Sequence, residues 1–364
     1  MRVLYVSFAG RMAGAEHSLM LLLRSPRSQI EQFVACPVGS ELLKRCKDDG
    51  IACHELPPLG TGSTLSKLRC FRAASCLRRI TKRIQPNIIH ANNIHAMAIS
   101  SVLHRTGGSR LIWHARDLPR RRRLLDAWCM ARAERIVAVS NSVKDRLVEI
   151  GGNDEKIDVV HNGVDAVDDI MPVSKAGASN FTFACVGQIV RWKNQKAFLE
   201  AAELVHQKLT HARFLLVGSD LFDRRDSYEA ELRALIKSRQ MSYVERIGWQ
   251  TDMKAIWQQV DCLVHTAMME PFGRVLIEAM ARGKPVVAFA SGGPTEIVAD
   301  GCTGLLVPFG DVQGLSKAML RMASEPGLAT TMGVNAKRCV LTEFSSDRAA
   351  DGVMAVYRKV LEGC

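Results

Sequence analysis

Short apolar runs recur along the chain and alternate with stretches whose apolar positions repeat every three to four residues. The runs Val3-Leu-Tyr-Val6, Gln32-Phe-Val-Ala-Cys36, Asn87-Ile-Ile-His90, Ser109-Arg-Leu-Ile-Trp113, Arg135-Ile-Val-Ala-Val139 and Ile157-Asp-Val-Val160 read as strands in the first half. Most are apolar in succession rather than alternating, as expected of strands covered on both faces. The intervening amphipathic stretches read as covering helices, so the rhythm predicts a parallel sheet between helical layers. Asn162-Gly163 reads as a turn, and the polar stretch Val167 to Asn180, with Pro172 and Gly177, reads as a linker. The rhythm then restarts with Phe181–Val186, Arg213–Val217, Val244–Gly248, Cys262–Val264, Pro285–Ala290 and Gly304–Val307. Two doubly wound α/β domains facing across a cleft are therefore expected, with ligands outside the carboxyl ends of the strands. Expected boundaries are 1–168, 169–345 and a terminal segment 346–364, whose helix Ala349–Leu361 is expected to cross back to the first domain.

Composition fits a globular protein, with 47% hydrophobic and 24% charged residues. No apolar run approaches the roughly 18 residues needed to span a bilayer. The start, Met1 to Phe8, reads as a buried strand in preference to a signal peptide, because Gly10, Gly14 and Glu16 break any apolar continuation. The eleven cysteines are scattered without a C-x-x-C, which points to reduced thiols and to neither a disulfide framework nor a zinc site.

Charge is uneven. Residues 1–165 carry a net +11 and the remainder +1. Lys67 to Arg83 and the run Arg120-Arg-Arg-Arg123 dominate the excess. Such a basic half suits an anionic membrane surface or an anionic acceptor; the plain alternative is a solvated surface. Nucleic acid is disfavoured, since only 6% of residues are aromatic and no recognition motif accompanies the charge.

The densest chemistry lies in Glu270-Pro-Phe-Gly-Arg-Val-Leu-Ile-Glu278. Pro271 and Gly273 keep Glu270 in a loop, while Glu278 falls on a helix that ends at Arg282-Gly283. A small-residue loop entering a helix is a ready phosphate cradle, and two flanking carboxylates can accept from sugar hydroxyls. Gly187-Gln-Ile-Val-Arg191-Trp-Lys193 follows a strand and brings cations to a helix start, where they suit a diphosphate. Ser291-Gly292-Gly293-Pro-Thr-Glu296 follows another strand; its glycines allow close backbone approach or simply make a turn.

Together these segments resemble the family 4 glycosyltransferases of the GT-B fold over nearly the whole chain. The carrying residues are Gly187 with Lys193, Gly218-Ser, Val244–Trp249, Glu270-Pro-Phe-Gly273 with Glu278-Ala, Gly283-Lys-Pro-Val, Gly292-Gly293-x-x-Glu296 and Gly301-x-x-Gly304 through Asp311. The resemblance implies a retaining transferase that uses a nucleotide-diphosphate sugar, usually without a metal ion or other cofactor. It implies that Glu270 contacts donor-sugar hydroxyls, Glu278 the ribose and Lys193 the diphosphate. The backbone of Phe272 and Gly273 would approach the donor. In the first half, Ala13-Gly14-Ala15-Glu16 resembles the family's Gly-Gly-Ala-Glu loop, and Trp113-His114-Ala-Arg-Asp117-Leu-Pro119 the segment that brings a histidine to the reacting centre. Gly14 and His114 are thereby implicated; His90 and His95 read as structural.

One position departs from the family, which has Arg where this chain has Gln188. Arg191, three residues on, is expected to supply the missing cation. The expected protein is a cytoplasmic enzyme, peripheral on the inner membrane face. It takes a UDP- or GDP-sugar and a saccharide or lipid-linked acceptor, in surface polysaccharide, lipopolysaccharide or envelope glycan synthesis. A nucleotide-sugar epimerase, a phosphorylase and a lapsed sugar-nucleotide-binding protein are the alternatives on the same fold.

Overall fold

The computed structural model describes residues 1–25, 30–59, 67–102, 108–119, 124–167, 181–220 and 228–362. The Arg120–Arg123 run and the linker beyond Val167 lie outside them. The described chain divides into two compact units, Met1–Gly163 with Ser346–Cys364, and Val164–Ser345.

In the first unit, β1 (Arg2–Val6), β2 (Glu31–Pro37), β3 (Ala52–Leu56), β4 (Ile88–Ala91), β5 (Arg110–Ala115), β6 (Arg135–Ala138) and β7 (Ile157–Val159) form one parallel sheet. Its order is β3-β2-β1-β4-β5-β6-β7. In the second, β8 (Thr182–Val186), β9 (Arg213–Val217), β10 (Val244–Ile247), β11 (Cys262–His265), β12 (Val286–Ala290) and β13 (Gly304–Pro308) form another, in the order β10-β9-β8-β11-β12-β13. Both sheets reverse direction of winding beside their first strand, so each has a switch point at the carboxyl ends of β1 and β4, or of β8 and β11.

Every strand read from the sequence is present within a residue or two of its expected bounds. The additional strand is β3, whose sequence Ala-Cys-His-Glu-Leu lies at the sheet edge and is mostly half-buried or exposed. An edge strand covered on one side lacks the uniform apolar signal that marks the central strands.

The second unit's core gathers Phe181, Phe183, Phe198 and Phe214 with Leu315 and Met319 between sheet and helices. The first unit's core is completed by the last helix, Ser346–Glu362, which buries Val353, Met354, Val356, Tyr357 and Val360 against Val3, Tyr5 and Leu19. Gly352 on that helix lies over Val160, where an added Cβ would come within 2.7 Å of Cγ1.

Candidate active site

At the second unit's switch point, β8 leads into Gly187 and Gln188, then a single 3-10 turn, Arg191–Lys193. Across from it, the segment after β11 runs through Thr266 to Glu270. The two are stitched together by Met268 N–H donating to Trp192 O (2.7 Å) and Thr266 Oγ1 donating to Lys193 O (3.0 Å). This delivers Lys193 Nζ onto Glu270 Oε2 as an ion pair. His265 Nε2 stands 3.2 Å from the same oxygen. Glu270 is only 6% exposed. Burial by itself would raise its pKa, but Lys193 and His265 outweigh that and hold it at about 2. The carboxylate is therefore ionised and already oriented. His265 is held below its ordinary value by burial, against the pull of Glu270, and its Nδ1 has no partner among the described residues.

The Gly292-Gly293 pair makes this loop geometry possible. Gly292 has φ +76°, and a Cβ there would fall 2.4 Å from Glu270 O. A Cβ on Gly293 would fall 2.1 Å from Phe272 O. Gly293 N–H donates to Glu270 O at 2.8 Å, so the two backbones lie in direct contact.

Phe272 turns its ring into the core against Phe344, at 6.0 Å between centroids, and is itself buried. Gly273, at φ +105°, precedes the helix Arg274–Met280. Glu278 lies on that helix, half-buried, with Oε1 accepting from Arg274 at 2.8 Å. Gln188 donates nothing from its buried Nε2 to any described residue, while its backbone oxygen accepts from Gln195. Arg191 projects outward: its guanidinium pairs with both Glu231 oxygens, at 2.5 and 3.0 Å, and lies over the Tyr228 ring. It is thus committed to Glu231 and not to the side chain of Gln188.

At the first unit's switch point, Gly14 opens the helix Gly14–Arg24 and is exposed. Glu16 folds back beneath it, accepting from Ser7 Oγ (3.2 Å) and Ala13 N–H (3.3 Å). Burial pushes its pKa up. His114, on β5, shares its strand face with Arg116 two residues on. Arg116 is nearly buried; its Nε donates to Asn92 Oδ1 (2.8 Å) and one terminal nitrogen to Asn162 Oδ1 (2.6 Å). The other terminal nitrogen lies 3.3 Å from His114 Nδ1. His90 Nε2 lies 3.1 Å from that same atom. A cavity of about 20 Å³ borders His114, Arg116 and Asn162, room for about one water molecule.

From the sequence, Arg116, Asn92 and His265 carry no assigned role, and Asn162 reads only as part of a turn. Arg116 had a signal, since it stands two positions from His114 beside the strand end; His265 had its place at the carboxyl end of β11. Among the described residues no cluster of His, Cys, Asp and Glu is arranged to hold a metal ion, and no helix is long and apolar enough to cross a membrane.

Comparison with known proteins agrees with this architecture. Residues 9–167 match the model for Glycosyltransferase Family 4, and residues 167–339 that for Glycosyl transferases group 1. The chain is a glycosyltransferase of the group 1, family 4 type. It is 26% identical to the lipopolysaccharide core biosynthesis mannosyltransferase LpcC of Rhizobium leguminosarum bv. viciae, over 92% of both chains. It is 32% identical over 107 residues to the lipopolysaccharide core biosynthesis glycosyltransferase LpsE of Rhizobium meliloti, a match spanning about a third of that protein. The solved structure of Anabaena HepE with UDP and glucose superposes with a TM-score of 0.83 at 22% identity, covering 98% of this chain and 99% of that one. Its fold, two parallel α/β sheets, is that of the GT-B glycosyltransferases.

Proposed function

We propose that this protein is a retaining glycosyltransferase that moves a sugar from a UDP- or GDP-sugar to a saccharide or lipid-linked acceptor in lipopolysaccharide or surface polysaccharide synthesis. The observation that carries the reading is Glu270, buried and ionised against Lys193 and His265 at a switch point of the second unit. A fixed carboxylate there accepts from donor-sugar hydroxyls. Lys193 has three donors and can meet a diphosphate while still facing Glu270. Glu278 then serves the ribose, and the backbone at Phe272 and Gly273 lies along the donor. His114, in the first unit, positions a sugar hydroxyl. The LpcC and LpsE relatives support an envelope-glycan acceptor, and the UDP-bound HepE structures support a uridine nucleotide as the first donor to try.

In the reaction, the acceptor oxygen attacks the anomeric carbon from the side on which the diphosphate departs. The C–O bond to phosphate breaks, and the leaving phosphate oxygen takes the acceptor proton. No enzymatic nucleophile is needed, and Lys193 stabilises the charge that develops on the diphosphate without a metal ion. A covalent glycosyl adduct on Glu270 would overturn this route.

The helix Lys67–Ile84 supports a membrane-surface acceptor. It contains seven Lys or Arg and no Asp or Glu among its 18 residues. Leu68 and Phe71 are exposed beside Arg69 and Arg72, an apolar tip amid basic charge that suits anionic headgroups.

The test is a thermal-shift screen of UDP- and GDP-sugars, then release of free nucleoside diphosphate with and without a cell-envelope extract. Release that depends on the extract is expected. Epimerised donor without extract would identify an epimerase, and donor binding with no turnover under any extract a lapsed enzyme.

A further inference from the structure

His114 is linked to the C-terminal helix through His90. Tyr357, on that helix, places its hydroxyl 2.7 Å from His90 Nδ1. His90 Nε2 in turn lies 3.1 Å from His114 Nδ1. The rings meet edge to face, His90 with His114 at 62° and His90 with Tyr357 at 78°. Tyr357 and His90 are fully buried and His114 is 3% exposed.

Arg116 biases the direction of the hydrogens in this series. A guanidinium carries donors and no acceptor, and it stays charged. Its nitrogen faces His114 Nδ1 at 3.3 Å, which favours the bare form of that atom without fixing it alone. With that atom bare, His90 Nε2 carries the hydrogen it shares with His114. Burial and the Arg116 charge keep His90 neutral, with a pKa of about 3. A neutral imidazole has one N–H, so His90 Nδ1 is bare and the Tyr357 hydroxyl donates to it. Burial, Arg116 and His90 also keep His114 neutral. Its own hydrogen therefore sits on Nε2, a buried atom with no partner among the described residues.

We propose that Tyr357 and His90 are positioning residues which, with Arg116, lock His114 into its Nε2–H tautomer, making it a fixed hydrogen-bond donor to a sugar hydroxyl and not a base. The proposal rests on the reading of His114 as a substrate-facing residue. The arrangement removes the alternative tautomer before substrate arrives, so no proton has to change nitrogen on binding.

The test uses full-length protein labelled with 15N-histidine and long-range 1H–15N correlation, with the His114 signal assigned by its loss in His114→Gln. In the unsubstituted protein His114 is expected to show a protonated Nε2 and a bare Nδ1. In Tyr357→Phe, His90 loses its donor and its signal moves toward a mixture of tautomers, and the His114 signal moves with it. His90→Met removes the donor to His114; His90→Gln restores one through its amide, and with it the His114 pattern. Release of UDP from UDP-glucose and of GDP from GDP-mannose, with envelope extract, is expected to fall about 3- to 10-fold in kcat in Tyr357→Phe and His90→Met, the scale of one hydrogen bond. His90→Gln recovers most of that loss, and Tyr357→Phe adds nothing in a His114→Ala background. If Tyr357→Phe fails to fold, the two His90 variants carry the test. A protonated Nδ1 on His114, or a His114 tautomer indifferent to both His90→Met and Tyr357→Phe, overturns the proposal. If instead the tautomer pattern holds and His114→Ala turns over normally, it is the substrate-facing reading of His114 that falls.

Discussion

Lys193 Nζ and His265 Nε2 converge on one oxygen of Glu270, so two nitrogen groups hold a single buried carboxylate in the second unit. Lys193 is thus both the expected diphosphate ligand and the main counter-charge of Glu270. Replacing it removes both roles. Lys193→Ala is expected to lower kcat/KM about 10²- to 10³-fold. It also leaves Glu270 buried without its cation, at a cost of about 3–5 kcal/mol in unfolding free energy. Steady-state kinetics and urea unfolding check the two effects separately.

Acid should erase the contribution of Glu270 in a defined window. Its folded pKa of about 2 lies below the ordinary value of 4.5. A depressed carboxylate stabilises the fold above its unfolded pKa and loses that contribution as pH falls through the folded one. The stability gap between the unsubstituted protein and Glu270→Gln is therefore expected to be constant above about pH 5 and to close between pH 4.5 and 2. A gap that stays level across this range would show that Glu270 is not held ionised.

The Arg191–Glu231 pair is exposed, with side-chain accessibilities of 54% and 49%. Such pairs contribute about 0–1 kcal/mol, so releasing Arg191 toward a diphosphate is cheap. Arg191→Ala is expected to leave the melting temperature nearly unchanged and to weaken the thermal shift given by UDP-sugars or GDP-sugars. If that shift is unaltered while Lys193→Ala abolishes it, Arg191 does not compensate for Gln188. Gln188→Arg is expected to strengthen donor binding.

Two glycines with the same left-handed backbone should respond differently to alanine. Gly301, at φ +72°, has open space where a Cβ would go, so Gly301→Ala costs about 1–2 kcal/mol from backbone conformation alone. Gly292, at φ +76°, would drive its Cβ into Glu270 O. Gly292→Ala is expected to destabilise further and to displace Glu270, so activity falls far more than in Gly301→Ala. Equal loss of activity in both variants would break the link between the Gly292 contact and the site.

Chelation offers a test of the metal-free route. EDTA treatment and subsequent dialysis are expected to leave nucleoside diphosphate release unchanged, because in the proposed route Lys193 supplies the charge that a divalent ion would otherwise bring. Restoration of a lost activity by added Mg²⁺ or Mn²⁺ would contradict it.

Much of this arrangement is written locally in the chain. Central strands such as Val286–Ala290 are covered on both faces, so their uniform apolar runs mark them plainly. Glu270, Gly273 and Glu278 fall within one loop and helix, where spacing alone constrains geometry. Residues that meet only through the fold are less visible. Tyr357 reaches His90 across 267 positions and looks like one more apolar residue of an amphipathic helix. Arg191 turns toward Glu231, 40 residues away, because a charged partner on a neighbouring helix outcompetes the local turn. The edge strand β3 is hidden for want of burial, and the role of His265 for want of any local partner except Glu270, five positions on.

The first unit is interrupted after Gly163 and resumes only at Ser346. During synthesis, every residue of the second unit is added before the helix bearing Tyr357, Val353 and Val360, and until then the earlier segment waits with its sheet half-clad. A product released early, near residue 345, would keep Lys193 and Glu270 yet leave His90 without its phenol. Addition of the helix Ser346–Glu362 is thus the step that brings Tyr357 to His90.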